Sequence, residues 1–334
     1  MNVSSYRQVV YLHHLPIKKA LRLGKFTLWP YNNTRGTFVK EVAVRKLLDR
    51  LFFQMCDYQG KPLQHIAVIS LGDTPDFQPS SEQIIKEMRD VINALFLSAV
   101  VENNTVNNVS SENFQLAVQN FTPDSNRWAI EDGSFVRIKI LGLRLKDLGV
   151  RLSPRASQYG CLEYNQELLD GCLRCQENSP ETLYKQIFSS LQWASYSYEN
   201  IPRFPYHSRI LLLMIAFEIL ASHSKGLDRY QFAKWLDVTW GILPDDKHEL
   251  QGKHKGPYGK VGMWGIEFYK YRNKIIHDGD PSVLPAHDSM GREYFETGVY
   301  VFSECVKDIL RQEGCLPLRP ENDNIVHAWR LMRK

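Results

Sequence analysis

Residues 261–281 read VGMWGIEFYKYRNKIIHDGDP, and the reading of this stretch decides the fold of the second half of the chain. Val261, Trp264, Phe268, Tyr271 and Ile275 recur at spacings of 3, 4, 3 and 4, the stripe by which a helix packs on a neighbour. Asp278-Gly279, with Pro281 beyond, stops that helix: glycine accepts the left-handed turn, and proline cannot continue the hydrogen-bond ladder. His277 falls in or just past the last turn. Arg272, Asn273 and His277 bring a permanent cation, a carboxamide and an imidazole into one short segment, groups that hold phosphate and move protons.

Helix geometry constrains what these groups do together. On an ideal helix Arg272 and His277 stand about 140° apart and do not share a face. Either the last turn unwinds to swing His277 round, or two copies of the chain supply the groups jointly at a two-fold axis. The plainer reading pairs Arg272 with a carboxylate such as Asp278 or Asp280 and leaves His277 as a cation favouring the helix end.

Outward from this helix, the second half is helical. From Ser208 to Ser224 the residues Leu211, Leu212, Leu213, Met214, Ile215, Phe217, Ile219 and Leu220 cover nearly the whole circumference, which predicts a central helix. Glu218 within it is disfavoured unless it is paired or protonated. It either sits at an edge and reaches water or holds a cation of the site, with Arg272 the first candidate. Glu181 to Trp193 and Arg229 to Trp240 read as further helices. Between Pro244 and Gly259 lies a polar loop with Lys247, His248, Lys253, His254 and Lys255, read as a solvated loop or as a phosphate-gripping lid beside the site.

The first half mixes strand and helix patterns and predicts an α+β domain. Val9 to Leu12, Phe26 to Tyr31, His65 to Ser70, the alternation around Leu116 and Val118, and that at Val136, Ile138 and Ile140 read as strands, with Asp132-Gly133 as the turn before the last. Val44, Leu47, Leu48, Leu51 and Phe52 repeat at helical spacing. A second helix carries Ile84, Met88, Val91 and Leu95 on one stripe and opens on a predicted capping box of Ser80 and Gln83. The Asn-rich stretch 103–108 reads as an exposed loop. This half has no G-x-G-x-x-G, no phosphate-binding loop and no His/carboxylate cluster at metal spacing, so its predicted role is sensing a trigger ligand, regulation or scaffolding.

A length of 334 residues predicts two domains, placed at 1–157 and 158–334 with the boundary in the Pro/Ser/Gly-containing stretch 152–160. The formal charge of +4 permits a nucleic-acid partner without arguing for one. Met1 to Leu12 lacks the features of a secretory signal, and the most apolar run, Ile210 to Ala221, is short of the roughly 20 residues of a membrane span. The expectation is a cytoplasmic protein without a membrane partner. Of the six cysteines only Cys172 and Cys175 form a C-x-x-C. A zinc site needs two more ligands and only Cys161 is near, so the pair reads as thiols on a short helix and no metal is expected.

R-N-K-I-I-H at residues 272–277 resembles the R-x4-6-H motif of the HEPN superfamily, with Asn directly after Arg as is common there. The helical setting behind an apolar, Glu-bearing helix is similar to the Apea-like branch, over about residues 180–315. The resemblance implies an all-α helical bundle that forms a homodimer and, in catalytic members, a metal-independent endoribonuclease of toxin and antiviral defence systems. It implies Arg272, Asn273 and His277 as the catalytic residues, with Glu218 a weaker match, and it does not cover the first half. Lys274 is expected to support the site, and Lys253, His254 and Lys255 to bind RNA such as tRNA or mRNA. No cofactor is called for, because histidine moves protons at neutral pH and an arginine fork stabilises a charged phosphoryl group. The alternative is a non-catalytic HEPN-like module that docks a nucleotide or protein partner through the same surface.

Overall fold

The computed structural model describes residues 7–13, 15–31, 38–53, 63, 65–75, 77–78, 80–102, 114–121, 128–131, 138–139, 162–198, 206–221, 227–240, 248–249, 257–278 and 293–318. The chain divides into two compact units, Met1–Asn165 and Gln166–Lys334. The division falls after the expected 157/158 because Leu162 and Asn165 donate backbone hydrogen bonds to the carbonyls of Pro16 and Ser98, which keeps that segment with the first unit.

The first unit holds a seven-stranded sheet: β1 (Arg7–Leu12), β2 (Leu21–Leu23), β3 (Phe26–Pro30), β4 (Ala67–Leu71), β5 (Leu116–Phe121), β6 (Trp128–Glu131) and β7 (Ile138–Lys139). Their order is β2-β3-β4-β1-β5-β6-β7, every pairing antiparallel. β1 is central, with Val10 opposite both Ile69 and Val118. Val9, Tyr11 and Val68 share a core cluster with Val44, Leu48 and Phe52 of helix α1 (Val42–Phe53), as period-two strands facing a helix stripe require. Helix α2 (Glu82–Glu102) is buried almost all round from Met88 to Val100, with Asp90, Asn93 and Ser98 included. β2 and β6, short and without clear alternation, are absent from the sequence reading. Asp132-Gly133 and residues 103–108 lie outside the described residues.

The capping box predicted at Ser80 does not form. The Ser80 amide donates to Gln8 Oε1 at 2.9 Å, and α2 starts one residue later with Ser81 Oγ accepting from the Ile84 amide at 3.3 Å. Gln83 reaches forward to Glu87 at 2.8 Å instead of back to the cap. A partner distant in sequence took the first serine's amide.

The second unit is mostly helical: α3 (Gln166–Asn178), α4 (Glu181–Ser197), α5 (Tyr206–Leu220), α6 (Arg229–Thr239), α7 (Lys260–Asp278) and α8 (Tyr294–Gln312). It is not purely α. Strands β8 (His248–Glu249) and β9 (Pro257–Tyr258) pair as a small ribbon inside the segment read as a loop. α4 packs along α5, α6 along α7, and α5 also meets α8.

The apolar α5 is not the most enclosed helix. It buries Ile210, Leu213, Met214, Ala216, Phe217 and Leu220, while Leu211, Leu212, Ile215 and Ile219 stay half-buried. α8, which has no counterpart in the sequence reading, is buried on nearly every side, down to Ser303, Glu304 and Asp308. At Gly298 it crosses the bundle closely: a Cβ there would stand 2.8 Å from Leu213 Cδ2 and 3.3 Å from Phe268 Cε2. Cys172 and Cys175 are buried on α3 and have Cys315 as a neighbour, with Ser179 Oγ 3.4 Å from Cys315 Sγ. Cys161 lies outside the described residues. Among the described residues no three His, Cys, Asp or Glu side chains are arranged to hold a metal ion.

Candidate active site

Everything at the site hangs on α7, and α7 is anchored at its amino end by a residue of another helix. Asp237 of α6, 3% exposed, accepts from the Gly259 amide at 2.7 Å and from the Gly262 amide at 2.9 Å. One buried carboxylate thus satisfies two of the amide donors that a helix start leaves unpaired, and its charge complements the helix dipole. Side-chain volume is excluded along the same contact. A Cβ on Gly262 would lie 2.8 Å from both Asp237 oxygens, and one on Gly265 would lie 2.6 Å from Leu236 Cδ1. Two glycines a turn apart therefore let α6 lie against α7.

Above that contact α7 buries Val261, Trp264, Phe268 and Tyr271, the predicted stripe, with Ile275 half-buried. Trp264 stacks on Phe268 at 4.8 Å, and Phe217 of α5 lies edge-on to Phe268 at 6.0 Å. Tyr271 adds a polar tie: its hydroxyl lies 2.9 Å from His207 Nδ1 at the start of α5, and its ring packs on Tyr294 at 4.6 Å. Burial pushes the Tyr271 hydroxyl up to about 12, so it stays a neutral hydrogen-bonding group at ordinary pH.

The helix runs unbroken through His277 to Asp278. The last turn does not unwind, and the first of the two routes that would join Arg272 to His277 is excluded. The arginine moves instead. Arg272 Nη1 donates to Asn273 Oδ1 at 2.9 Å, which draws the guanidinium sideways around the helix. Asn273 stands about 40° and one turn from His277. The carboxamide therefore sits between the cation and the imidazole.

Two further groups surround Arg272. Its guanidinium carbon lies 5.6 Å from the centre of the Tyr269 ring, and Glu218 of α5 is close enough to feel its charge. Burial raises the Glu218 carboxyl above the usual carboxylate range, and the Arg272 cation pulls it part of the way back. The two do not form a direct ion pair among the described residues, so the guanidinium's hydrogen bond is to Asn273. Burial likewise raises the Tyr269 hydroxyl; Arg272 lowers it, while Glu218 and Asp228 raise it further.

His277 and Lys274 are exposed, and Arg272 and Asn273 are half-buried. His277 has no hydrogen-bond partner among the described residues. Asp280 and the Asp278 side chain, the carboxylates of the plainer reading, lie outside the described residues, as do Lys253, His254 and Lys255. Those three lie between β8 and β9 in sequence, and β9 joins the amino end of α7. His277 is about 26 Å along the helix axis from that end. The ribbon's base and the imidazole thus occupy opposite ends of the helix.

Tyr269, Asp237 and His207 are the site's neighbours that the sequence reading did not name. Tyr269 was legible in principle, three residues before Arg272 and so on an adjoining face. Asp237 and His207 are joined to α7 across long sequence separations, and no local pattern marks them. Compared with protein-family models, with curated proteins and with solved structures, the chain finds no match. No helix among the described residues is long and apolar enough to cross a membrane.

Proposed function

We propose that the protein is a metal-independent endoribonuclease of HEPN type, acting through Arg272, Asn273 and His277. The observation that carries this reading is the Arg272–Asn273 hydrogen bond on a helix whose last turn presents an exposed imidazole without a hydrogen-bond partner among the described residues. Asn273 holds the guanidinium fork toward the His277 side, where it meets phosphate oxygens and stabilises the charge of a pentacoordinate phosphorus. His277 exchanges the proton of the attacking 2′-hydroxyl or of the leaving 5′-oxygen. The products are a 2′,3′-cyclic phosphate and a 5′-hydroxyl. One imidazole fills one of the two proton-transfer roles at a time, so a homodimer in which the partner subunit's His277 takes the other completes the reaction. Lys274 adds positive charge beside the phosphate, and Glu218 sets the charge around Arg272. The N-terminal unit senses a trigger or restrains the activity in a toxin or antiviral role in the cytoplasm.

The test is incubation of the purified protein with labelled tRNA and mRNA in a metal chelator, beside His277→Ala and Arg272→Ala. Cleavage to cyclic-phosphate ends that falls at least about 100-fold in both variants supports the reading. Equal cleavage by all three proteins removes the site assignment. No cleavage by any, with RNA still bound, points to a binding module. Sedimentation over a concentration series checks the dimer, and a monomer with full activity excludes the shared site.

A further inference from the structure

The outward side of α7 is divided into two chemically different flanks. On one, Lys270, Lys274 and His277 are all exposed and fall within an arc of about 60°. Neither lysine forms an ion pair among the described residues, whereas Lys25, Lys185 and Lys307 each hold a carboxylate, that of Glu87, Glu181 and Glu304 respectively. Among the described side chains the carboxylate on the lysine flank, that of Glu267, is half-buried. The helix dipole explains cations in the last turn, Lys274 and His277, but its effect fades before Lys270. On the other flank stand Ile276, 46% exposed, and the half-buried Tyr269. Asn273, with the Arg272 guanidinium drawn to it, lies between the two flanks.

We propose that the substrate of this site is single-stranded RNA laid along the outer side of α7, its phosphates over Lys270 and Lys274 and a splayed base against Ile276. The proposal rests on the ribonuclease reading and adds to it the substrate class and the path of the strand. Lys270 and Lys274 are one turn apart, about 6 Å, a step similar to that between neighbouring phosphates of one strand. The reaction selects against a duplex. Attack by the 2′-oxygen requires it in line behind the phosphorus, opposite the departing 5′-oxygen, and a stacked A-form strand holds it away from that line. A nucleotide that reaches this geometry leaves the stack, and its base needs an apolar surface to settle on. Ile276 provides that surface on the side of Asn273 away from the lysines.

The experiment measures binding of full-length His277→Ala protein to a labelled oligouridylate and to an RNA duplex of the same length across a potassium chloride series. Lys270→Gln and Lys274→Gln are each expected to reduce the slope of log affinity against log salt by about 0.7, while Lys270→Arg keeps it. Ile276→Ser is expected to weaken single-strand binding several-fold at unchanged slope. Lys185→Gln, on α4 and paired with Glu181, should change neither. A slope that survives the double lysine substitution, an Ile276→Ser protein that binds as before, equal affinity for the duplex, or no binding of either RNA overturns the proposal. Failure of the ribonuclease reading is seen separately, as cleavage that His277→Ala leaves intact; the binding results stand apart from it.

Discussion

Arg272 Nη1 and Asn273 Oδ1 lie 2.9 Å apart although their Cα atoms are neighbours on a helix and point about 100° away from each other. The bond requires the long arginine side chain to wrap around α7, and it leaves the remaining guanidinium donors available to an anion. Asn273→Ala removes the acceptor and lets the guanidinium return toward Tyr269 and Glu218. Under the proposed ribonuclease reading, turnover is expected to fall by about 10²-fold, a loss of the order seen when a preorganised donor is misplaced, with a smaller change in KM. Asn273→Asp keeps an acceptor but adds a negative charge beside the phosphate, and it should lower affinity as well as rate. Activity equal to the parent in Asn273→Ala would show that the carboxamide does not position the arginine.

Glu218 makes a prediction about pH. Burial raises its carboxyl in the folded protein, and Arg272 offsets only part of that rise. The folded state therefore binds the proton more tightly than the unfolded chain does. Below the ordinary glutamate range both states are protonated and the stability is fully present; as pH rises from that range through the raised folded value, stability falls. Glu218→Gln keeps the neutral shape and removes the titration. Unfolding followed by fluorescence from the ordinary glutamate range upward should show the stability of the parent falling relative to that of the variant over this window. A parent that gains stability relative to the variant there would mean that the pairing with Arg272 outweighs burial.

How much of this was legible in sequence depends on the distance over which each signal acts. The stripe from Val261 to Ile275 is a local signal, and α7 follows it; Gly279 and Pro281 of the predicted stop lie outside the described residues. The type of each site residue was also legible, because arginine, asparagine and histidine carry their chemistry with them. Their relation was not. Helical spacing separates Arg272 from His277, and only side-chain placement shows the guanidinium swinging to Asn273. The start of α2 lies one residue past the predicted cap because Gln8, distant in the chain, takes the Ser80 amide. α8 is hidden in the sequence because Glu304, Lys307, Asp308 and Arg311 have the pattern of a solvated face, whereas in the fold Lys307 pairs with Glu304 and Arg311 with Asp308 in an enclosed setting.

Asp237 links α6 to the amino end of the site helix, and its removal tests how α7 is held. Asp237→Ala leaves the Gly259 and Gly262 amides without their buried acceptor and is expected to destabilise the helical unit by about 2 kcal/mol. Gly262→Ala reaches the same contact from the other side. Its methyl would crowd the carboxylate at 2.8 Å, and helices in contact yield at a cost of about 1–3 kcal/mol. Because alanine favours helix more than glycine does, an exposed position would show the opposite sign. Urea unfolding that finds Gly262→Ala more stable than the parent would rule out close packing at this point.

The ion pairs of α8 separate breaking a pair from removing it. Lys307 Nζ donates to Glu304 Oε1 at 2.8 Å, with side chains only 11% and 12% exposed. Charges so enclosed have lost most of their hydration, and their attraction mainly repays that loss. Lys307→Met alone leaves Glu304 charged and poorly solvated, and it should cost about 2–4 kcal/mol of unfolding free energy. Replacing both, Glu304→Leu with Lys307→Met, removes the stranded charge and fills similar space with apolar groups, so the double variant should recover most of the loss. A double-mutant cycle in chemical denaturation reads this directly as a large favourable coupling. Additive losses, with the double variant the least stable of the set, would instead show that each charge is held by its own surroundings and not by the other.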